Sequence, residues 1–356
     1  MAAVARRRSR HDHDVAGAGL DVAVAARAPV ALHRLVGLDP ADVDLGVVAG
    51  AHPRRAQSTS ASAITMAAAT KTRSDGRRRT LRYGLKPTAD SIVRPMETIE
   101  VTRAEGGIVT VTLNRPEKKN AITGQMWDEL LETFHEVAGN TGEDRVLILT
   151  GAGGAFCAGA DLWAKADPDV RPRHQIFTMK RVTEVIMALH RLPQPTIAKV
   201  RGVAVGAGCN LALACDLIVA GDDARFSEIF AKRGLTLDAG GSWFLPRLIG
   251  MHRAKEMALF ADILSAKEAE ALGLVNRVVP AGEIDAFVDD WAARLTEGPP
   301  VALAQTKRLL NNSFQVTLEQ ALEDEGAAQT VNFGTKDTPE AIAAFVEKRT
   351  PTFKGL

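Results

Sequence analysis

A glycine-rich turn between an apolar strand and an apolar helix constrains the fold of this chain more than any other feature. The strand pattern covers residues 197–200, and residues 202–216 follow with the sequence GVAVGAGCNLALACD. The first amides of a helix have no acceptor within the helix, and the peptide dipoles favour negative charge beside them. Residues 202–208 contain no Ser, Lys, His or carboxylate. The segment therefore predicts an oxyanion site made of backbone amides, whose acid or base comes from elsewhere in the chain.

Strand, turn and helix patterns repeat through residues 96–280. Residues 99–103 and 108–113 alternate around a Glu-Gly-Gly turn, which is typical of a hairpin. Further patterns predict strands at 145–150 and 217–220, and helices at 123–137 and 173–190. Such repeated units predict mostly parallel strands whose loops gather at one edge of the sheet.

Residues 281–356 are predicted to form a helical region. Before it, Ser265 and Glu268 make a capping-box pattern, in which each side chain bonds a free backbone amide at a helix start. Thr338-Pro339-Glu340 marks another helix start. Amphipathic patterns predict helices at 284–295, 301–311, 318–332 and 339–348. We expect these helices to cover the core or to form an oligomer surface.

Residues 1–95 differ from the rest of the chain in charge and pattern. They carry 16 Lys and Arg residues against 8 Asp and Glu residues, a net of +8, so residues 96–356 carry about −7 of the total of +1. They show no sustained helical or strand period. We expect a disordered Ala- and Arg-rich extension or an over-called translation start. A targeting presequence, or a basic tail for nucleic acid or anionic surfaces, is the alternative.

The composition is that of a soluble globular protein, with 46% hydrophobic and 24% charged residues. No apolar run is long enough to cross a bilayer, so we expect no membrane partner. The mildly acidic body gives no reason to expect nucleic-acid binding. The three cysteines lack metal-ligand spacing, and we expect buried thiols in a reducing, cytoplasmic compartment and no metal site.

Six motifs in the body of the chain resemble those of one known family. They are LNRPEKKNAI at 113–122, AFCAGADL at 155–162, VRGVAVGAGCNLALACDLIVA at 200–220, GLTLDAGGSWFLPRLIG at 234–250, KEAEALGLVNRVVP at 267–280 and AFVEKRTPTF at 344–353. In order and spacing they resemble the enoyl-CoA hydratase/isomerase (crotonase) family. The resemblance covers residues 96–356 and leaves residues 1–95 outside it.

The resemblance implies an α/β fold, the crotonase (ClpP-like) spiral of ββα repeats with a helical C-terminal region, in homotrimers or dimers of trimers. It also implies an acyl-CoA thioester as substrate and no cofactor. Two backbone amides hold the thioester oxygen in this family, and the matching positions here are Ala160, in AGAD, and Ala207, in GAG. Polarising that carbonyl lowers the barrier to proton transfer at the neighbouring carbon.

Two positions depart from the hydratase pattern. That pattern has a glutamate four residues after the first glycine of the oxyanion turn and a second one twenty residues further on, where this chain has Asn210 and Phe230. Neither side chain exchanges a proton with water at neutral pH. Water addition by two glutamates is therefore not expected.

Asp238 is the predicted replacement for the missing glutamates. Its segment, GLTLDAGGSW, is similar to that of the 2-(1,2-epoxy-1,2-dihydrophenyl)acetyl-CoA isomerases and of enoyl-CoA isomerases that keep one aspartate in this turn. Between Leu237 and a Gly-Gly turn, facing Phe230 and Trp243, its carboxylate is expected to be partly desolvated, with a raised pKa. The alternative is a turn aspartate that bonds local amides.

Other polar residues are given lesser roles. Glu228 is expected at the surface, with a role as base as the alternative. Asp161 is placed with the substrate-binding residues, with a bond to its own loop as the alternative. Asp216 is expected to tie the end of a helix to its neighbours, and Asn210 to position a water or the acyl group.

The resemblance also implies contacts with CoA. The loop of LNRPEKKNAI, with Lys119 and Ala158, is expected to frame the pantetheine and adenine. Phe345 and Lys348 on the last helix are expected to reach the CoA of the same or a neighbouring subunit, with solvent exposure as the alternative. Four aromatic residues are candidates for the acyl pocket or for the core: Trp163, Phe226, Phe230 and Trp243.

Three functions remain open from these patterns. The first is an acyl-CoA isomerase with Asp238 as its single acid/base and the amides of Ala160 and Ala207 as its oxyanion hole. The second is an enoyl-CoA hydratase of fatty-acid β-oxidation. The third is a non-catalytic acyl-CoA-binding member of the family, suggested by the loss of both glutamates.

Overall fold

A six-stranded sheet forms the centre of the computed structural model, which describes residues 96–162 and 174–356. The strands in chain order are β1 (Ile99–Ala104), β2 (Ile108–Leu113), β3 (Val146–Gly151), β4 (Thr196–Val200), β5 (Val203–Val205), β6 (Leu217–Gly221), β7 (Arg225–Ser227), β8 (Leu264–Ser265) and β9 (Arg277–Val279). The large sheet has the order β1-β2-β3-β4-β6-β9, and a small sheet has the order β5-β7-β8.

Nine α-helices accompany these strands in the described ranges. They are α1 (Gly124–Gly139), α2 (Gln175–His190), α3 (Ala207–Leu213), α4 (Gly241–Phe260), α5 (Ala266–Leu272), α6 (Ile284–Thr296), α7 (Pro300–Asn312), α8 (Leu318–Phe333) and α9 (Asp337–Glu347). None of these helices combines the length and the apolar character that a membrane crossing requires.

The topology follows the predicted repetition of strand and helix. β1 and β2 pair antiparallel as the expected hairpin, and the pairs from β2 to β9 across the large sheet are all parallel. Parallel strands buried on both faces read as continuous apolar runs, as the sequence of β3 does. The fold class predicted from the sequence is confirmed.

Alternate residues of the central strands pack on opposite faces of the sheet. Leu147 and Leu149 of β3 join the larger core, with α1 to α5. Val146 and Ile148 face the other way and pack against α6. This separation follows from the two-residue period of a strand. The helices cover the two faces of the sheet, and loops follow the carboxyl ends of the strands.

Several elements were not expected from the sequence. β5, β7 and β8 have two or three residues each, too few for a recognisable period. α4 contains Pro246 and is interrupted at Gly250, where φ is +74°. β9, the sixth strand of the large sheet, lies where no strand was predicted from the sequence. The expectations for residues 1–95, and the predicted start of a helix at Arg173, lie outside the described residues.

The helix starts predicted from capping patterns are present. Ser265 and Glu268 form the capping box at α5: the Ser265 hydroxyl accepts from the Glu268 amide, and Glu268 accepts from the Ser265 amide. The four amphipathic patterns after residue 280 correspond to α6, α7, α8 and α9. Thr338 and Pro339 lie in the first turn of α9.

Candidate active site

The turn between β5 and α3 brings backbone amides to the carboxyl end of the sheet. Gly206 has φ +56° and ψ −126°, a region that residues with a Cβ avoid. Its amide donates to the Ser227 carbonyl at 2.8 Å, which fixes the turn to β7. Ala207 is the first residue of α3, so its N–H has no acceptor within the helix.

The loop that carries Ala160 runs beside this turn. The Cys157 amide donates to the Val203 carbonyl at 2.8 Å, and the Val205 amide donates to the Cys157 carbonyl at 2.9 Å. At Gly159, where φ is +95°, a Cβ would lie 2.9 Å from the Val205 oxygen and 3.8 Å from the Ala207 nitrogen. The loop approaches α3 this closely because position 159 has no side chain.

The orientation of the Ala160 amide follows from its neighbours. On one side, the Ile122 amide donates to the Gly159 carbonyl at 2.8 Å, and the Asp161 amide donates to the Ile122 carbonyl at 2.9 Å. In extended chain, successive N–H groups point in opposite directions. The Ala160 N–H therefore points away from Ile122. The structure brings the two predicted amide donors into neighbouring segments.

Asp238 lies in the turn before α4. Its backbone carbonyl accepts from the Gly241 amide and from Asn210 Nδ2, both at 3.0 Å. Its side chain is half-buried, and burial raises its pKa from 3.8 to about 6. No donor among the described residues bonds Oδ1, so the turn does not use this carboxylate as a local cap.

Glu228 is buried rather than exposed, so its assignment to the surface was wrong. It is 0% exposed and lies directly after β7. Oε2 accepts from Asn210 Nδ2 at 3.2 Å. Burial, helped by the charge of Asp238, raises the pKa of Glu228 from 4.5 to about 7, against hydrogen bonds from Cys209 and Asn210. No local pattern marks this burial: Phe226, Ser227 and Glu228 are all 0% exposed, so the segment shows no two-residue alternation.

Asn210 and Phe230 occupy the two positions where the hydratase pattern has glutamates. Asn210, Glu228 and Asp238 form a group of contacting residues, the Asn210 cluster. Asn210 is 0% exposed, and its amide nitrogen donates both to Glu228 and to the Asp238 carbonyl. Phe230 is buried, with ring carbon Cζ 3.6 Å from where a Gly206 Cβ would be. Where the hydratase pattern has two glutamates, this chain therefore has an asparagine that connects Glu228 to Asp238 and a phenylalanine whose ring lies beside the glycine turn.

Two other carboxylates from the sequence analysis, Asp161 and Asp216, connect neighbouring segments of the chain. Asp161 forms an ion pair with Arg115 at 3.1 Å, which joins the oxyanion loop to the LNRPEKKNAI loop. Asp216 accepts from the Thr196 amide at 2.8 Å and pairs with Lys307 at 2.7 Å. The expected structural role of Asp216, at the end of α3, agrees with these contacts.

The predicted CoA residues occupy two separate regions. The Lys119 carbonyl accepts from the Ala158 amide at 2.9 Å, so these two residues are adjacent beside the oxyanion loop. Phe345 and Lys348 lie at exposed positions at the end of α9, which packs against α8. Trp163 lies outside the described residues.

The remaining aromatic candidates have mainly packing contacts. Phe226 is 0% exposed and belongs to the core. Trp243 packs edge-on against His190 and Phe244, with ring centroids 5.4 Å and 5.1 Å apart, and the Arg247 guanidinium lies 4.1 Å from its ring centroid. These contacts favour the core interpretation that the sequence left open for both residues.

A cavity of about 660 Å³ lies between the end of α2, the start of α4 and α7. Its lining includes His190, Trp243 and Lys307 but no carboxylate. In the described ranges, no three His, Cys, Asp or Glu side chains are grouped to hold a metal ion. Asp238 and Glu228, the two carboxyls with raised pKa values, are not among the residues that line this cavity.

The site offers two separate chemical resources. Backbone amides beside the glycine turn can stabilise negative charge on an oxygen. Asp238 has a pKa near the neutral range and a partly accessible side chain, the properties of a general acid or base. Among the described residues, no cation lowers the pKa of Asp238 or Glu228.

Comparison with known proteins matches most of the chain to one family. The sequence model of the enoyl-CoA hydratase/isomerase family matches residues 103–356. A "probable enoyl-CoA hydratase" of Rhodobacter capsulatus is 38% identical over 252 residues, 70% of this chain and 95% of that protein. The 1,2-epoxyphenylacetyl-CoA isomerase of Escherichia coli is 35% identical over 257 residues, 72% of this chain and 98% of that protein.

The fold has equally close counterparts among solved structures. The crystal structure of an enoyl-CoA hydratase from Bacillus anthracis superposes with a TM-score of 0.69 at 34% identity, and the match covers 73% of this chain and all of that one. Sequence and fold thus lead to one assignment. The chain belongs to the enoyl-CoA hydratase/isomerase family and has the crotonase fold.

Proposed function

We propose that this chain is an acyl-CoA isomerase in which Asp238 is the single acid/base and the amides of Ala160 and Ala207 bind the thioester oxygen. The observation that carries the proposal is the difference in access between the two carboxyls near the glycine turn. Asp238 is half-buried, whereas Glu228 is 0% exposed. Of the two, Asp238 has the accessible side chain that proton exchange with a bound acyl group requires.

The proposed reaction moves a double bond within the acyl chain. The amides stabilise the enolate oxygen that forms when a proton leaves the carbon next to the thioester carbonyl or the carbon in conjugation with it. Asp238 takes that proton and returns it to another carbon of the same acyl chain. One group with a pKa of about 6 can do both steps, since neither its acid nor its base form is strongly disfavoured near neutral pH.

Asp238→Asn is the direct test of this proposal. It should lower turnover of a 3-enoyl-CoA by at least ~10²-fold, because general acid/base catalysis contributes about that much. Asp262→Asn is the matched control, since it removes an exposed carboxylate that pairs with Lys232 outside the Asn210 cluster. Turnover by Asp238→Asn equal to that of the control variant would refute the mechanism.

Enoyl-CoA hydration is the second candidate function. It is favoured by the relatives named as hydratases and by the presence of two carboxyls with raised pKa values. Against it, a second acid must touch the substrate water, and Glu228 has no exposed surface. Parallel assays with crotonyl-CoA and a 3-enoyl-CoA separate the two; faster hydration of crotonyl-CoA would establish the hydratase. Binding of CoA thioesters without turnover would instead indicate a non-catalytic member.

The proposal extends to assembly as a homotrimer or a dimer of trimers. Large apolar side chains on the C-terminal helices are exposed in the single chain, among them Leu318 (76%), Phe333 (71%) and Phe345 (85%). We expect neighbouring subunits to cover these side chains in the assembled protein. Sedimentation velocity of the purified protein tests the proposal, and a monomer at micromolar concentration would contradict it.

A further inference from the structure

Glu228 is a buried carboxyl that the proposed reaction does not use. It lies between β7 and the turn under α3, with no exposed surface. Its titratable neighbours among the described residues are the Cys209 thiol and Asp238. A carboxylate without a cation in such a place is costly, so the group keeps its proton to a higher pH than in water.

The side chain of Asn210 connects Glu228 to Asp238. Its Nδ2 carries two protons, and both are used: one bonds Glu228 Oε2 at 3.2 Å, and the other bonds the Asp238 backbone carbonyl at 3.0 Å. Gly241 closes the opposite side, because a Cβ there would lie 2.6 Å from Asn210 Nδ2 and 2.8 Å from Oδ1. The amide is therefore held between three segments and has no room to turn.

Three oxygens in this cluster have no hydrogen-bond partner among the described residues: Glu228 Oε1, Asn210 Oδ1 and Asp238 Oδ1. Unpaired buried acceptors are uncommon and mark places where a proton, a water or a ligand belongs. A proton on Glu228 Oε1 converts one of these acceptors into a donor. A buried carboxyl oxygen without a donor thus favours the protonated form of Glu228.

We propose that Glu228 is a positioning residue of the site: through Asn210 it holds the turn that carries Asp238, and the charge of its buried carboxyl sets how strongly Asp238 binds a proton. The inference rests on the proposed role of Asp238 as the acid/base. A negative charge on Glu228 disfavours a second negative charge on Asp238, and the reverse holds equally. Direct contact of Glu228 with substrate plays no part, since the side chain is enclosed.

Glu228→Gln is the informative variant. A glutamine can present its oxygen to Asn210 Nδ2 and an N–H to the side of the unpaired Oε1, so it imitates the protonated acid and removes the titration. In the unmodified enzyme the pH profile of kcat/KM for a 3-enoyl-CoA should rise over a wider interval than a single titration spans, because Asp238 titrates at about 6 and Glu228 at about 7. Glu228→Gln should follow a single titration, and its kcat at pH 8 should fall about threefold, because the base is weaker without the neighbouring charge.

Glu129→Gln provides the matched control. Glu129 is also a buried glutamate, 8% exposed, but it bonds Thr98 and lies on α1 outside the Asn210 cluster. This variant should keep the wide pH profile of the unmodified enzyme. A Glu228→Gln profile with the same shape as that of the control, scaled by a constant factor, would overturn the inference.

A second measurement does not depend on whether Glu228→Gln folds. Infrared difference spectra of the protonated carboxyl report the titration of Glu228 in the unmodified protein and in Asp238→Asn. Removing the Asp238 charge should shift the Glu228 midpoint to lower pH, and an unchanged midpoint would contradict the inference. The two proposals fail separately: full turnover by Asp238→Asn defeats the proposed function, whereas an inactive Asp238→Asn with an unchanged Glu228 midpoint defeats only the role of Glu228.

Discussion

Glu129 and Glu228 are glutamates that the same fold buries in opposite surroundings. Glu129, on α1, accepts four hydrogen bonds: from the Thr98 hydroxyl at 2.6 Å, and from the amides of Glu97 and Thr98 and Gln125 Nε2 at 3.0 Å each. Burial alone would raise its pKa, but these donors hold the pKa of Glu129 below its ordinary value. This carboxylate fastens the segment before β1 to α1.

Glu228 has fewer hydrogen-bond donors around its carboxyl group than Glu129 has. Its donors are Asn210 Nδ2, at 3.2 Å, and the Cys209 thiol, and Oε1 has no partner among the described residues. The pKa is displaced upward, to about 7. The comparison shows that burial does not determine what a carboxyl does. The number of donors around it decides whether it serves as a fixed charge or as a group that titrates.

The largest expected effect concerns stability at Glu228. Between the ordinary pKa of 4.5 and the folded value of about 7, the folded protein binds more protons than the unfolded chain, so stability falls as pH rises through this interval. Glu228→Gln removes that loss and should raise the free energy of unfolding at pH 8 by on the order of 3 kcal/mol. The gain should be small at pH 5. Urea unfolding at several pH values measures it, and a gain independent of pH would contradict the argument.

Glu129→Gln should change the free energy of unfolding in the opposite direction and by a somewhat smaller amount. A glutamine cannot accept all four bonds, so the variant should lose about 2 kcal/mol at pH 7. Because the folded pKa of Glu129 is lowered, its contribution is complete above 4.5 and disappears as pH falls through the lower folded value. The same urea series should show the deficit shrinking below pH 4.5. A deficit that persists unchanged in acid would mean that the charge is not what holds this contact.

The smallest expected effect tests the packing around Asn210. Gly241→Ala places a methyl group against the Asn210 amide and should destabilise the protein by about 1 kcal/mol, with a lower kcat. Gly124→Ala is the matched control: both glycines begin a helix, but nothing lies within 4 Å of a Cβ at position 124. The control should be neutral or slightly stabilising. Equal effects in thermal unfolding would show that the amide is not confined.

Much of this arrangement could be predicted from the sequence. The alternation in β1 and β2 predicted the hairpin, and the apolar run of β3 predicted a buried parallel strand. Both predictions succeed because the burial of a strand determines which of its residues are apolar. The glycines around α3 indicated backbone donors, and the turn of Asp238 indicated a desolvated carboxylate. These features are local, and each can be read within about ten residues.

The parts that escaped prediction depend on distant contacts. The burial of Glu228 depends on α3 and on the turn before α4, and its segment is a strand of three residues, too short to show a face. Asn210 bonds Glu228, 18 residues further along the chain, and Asp238, 28 residues further along. α4 was missed because Pro246 and Gly250 interrupt its pattern.

The thiol of Cys209 has a consequence for chemical probes of this enzyme. It is 0% exposed, and burial, together with the charge of Glu228, holds its pKa well above the ordinary value. Such a thiol forms no thiolate at physiological pH and does not react with the usual alkylating agents. A covalent inhibitor for this protein should therefore carry a group that esterifies carboxylates, with the proposed acid/base Asp238 as its target, and iodoacetamide should leave activity intact.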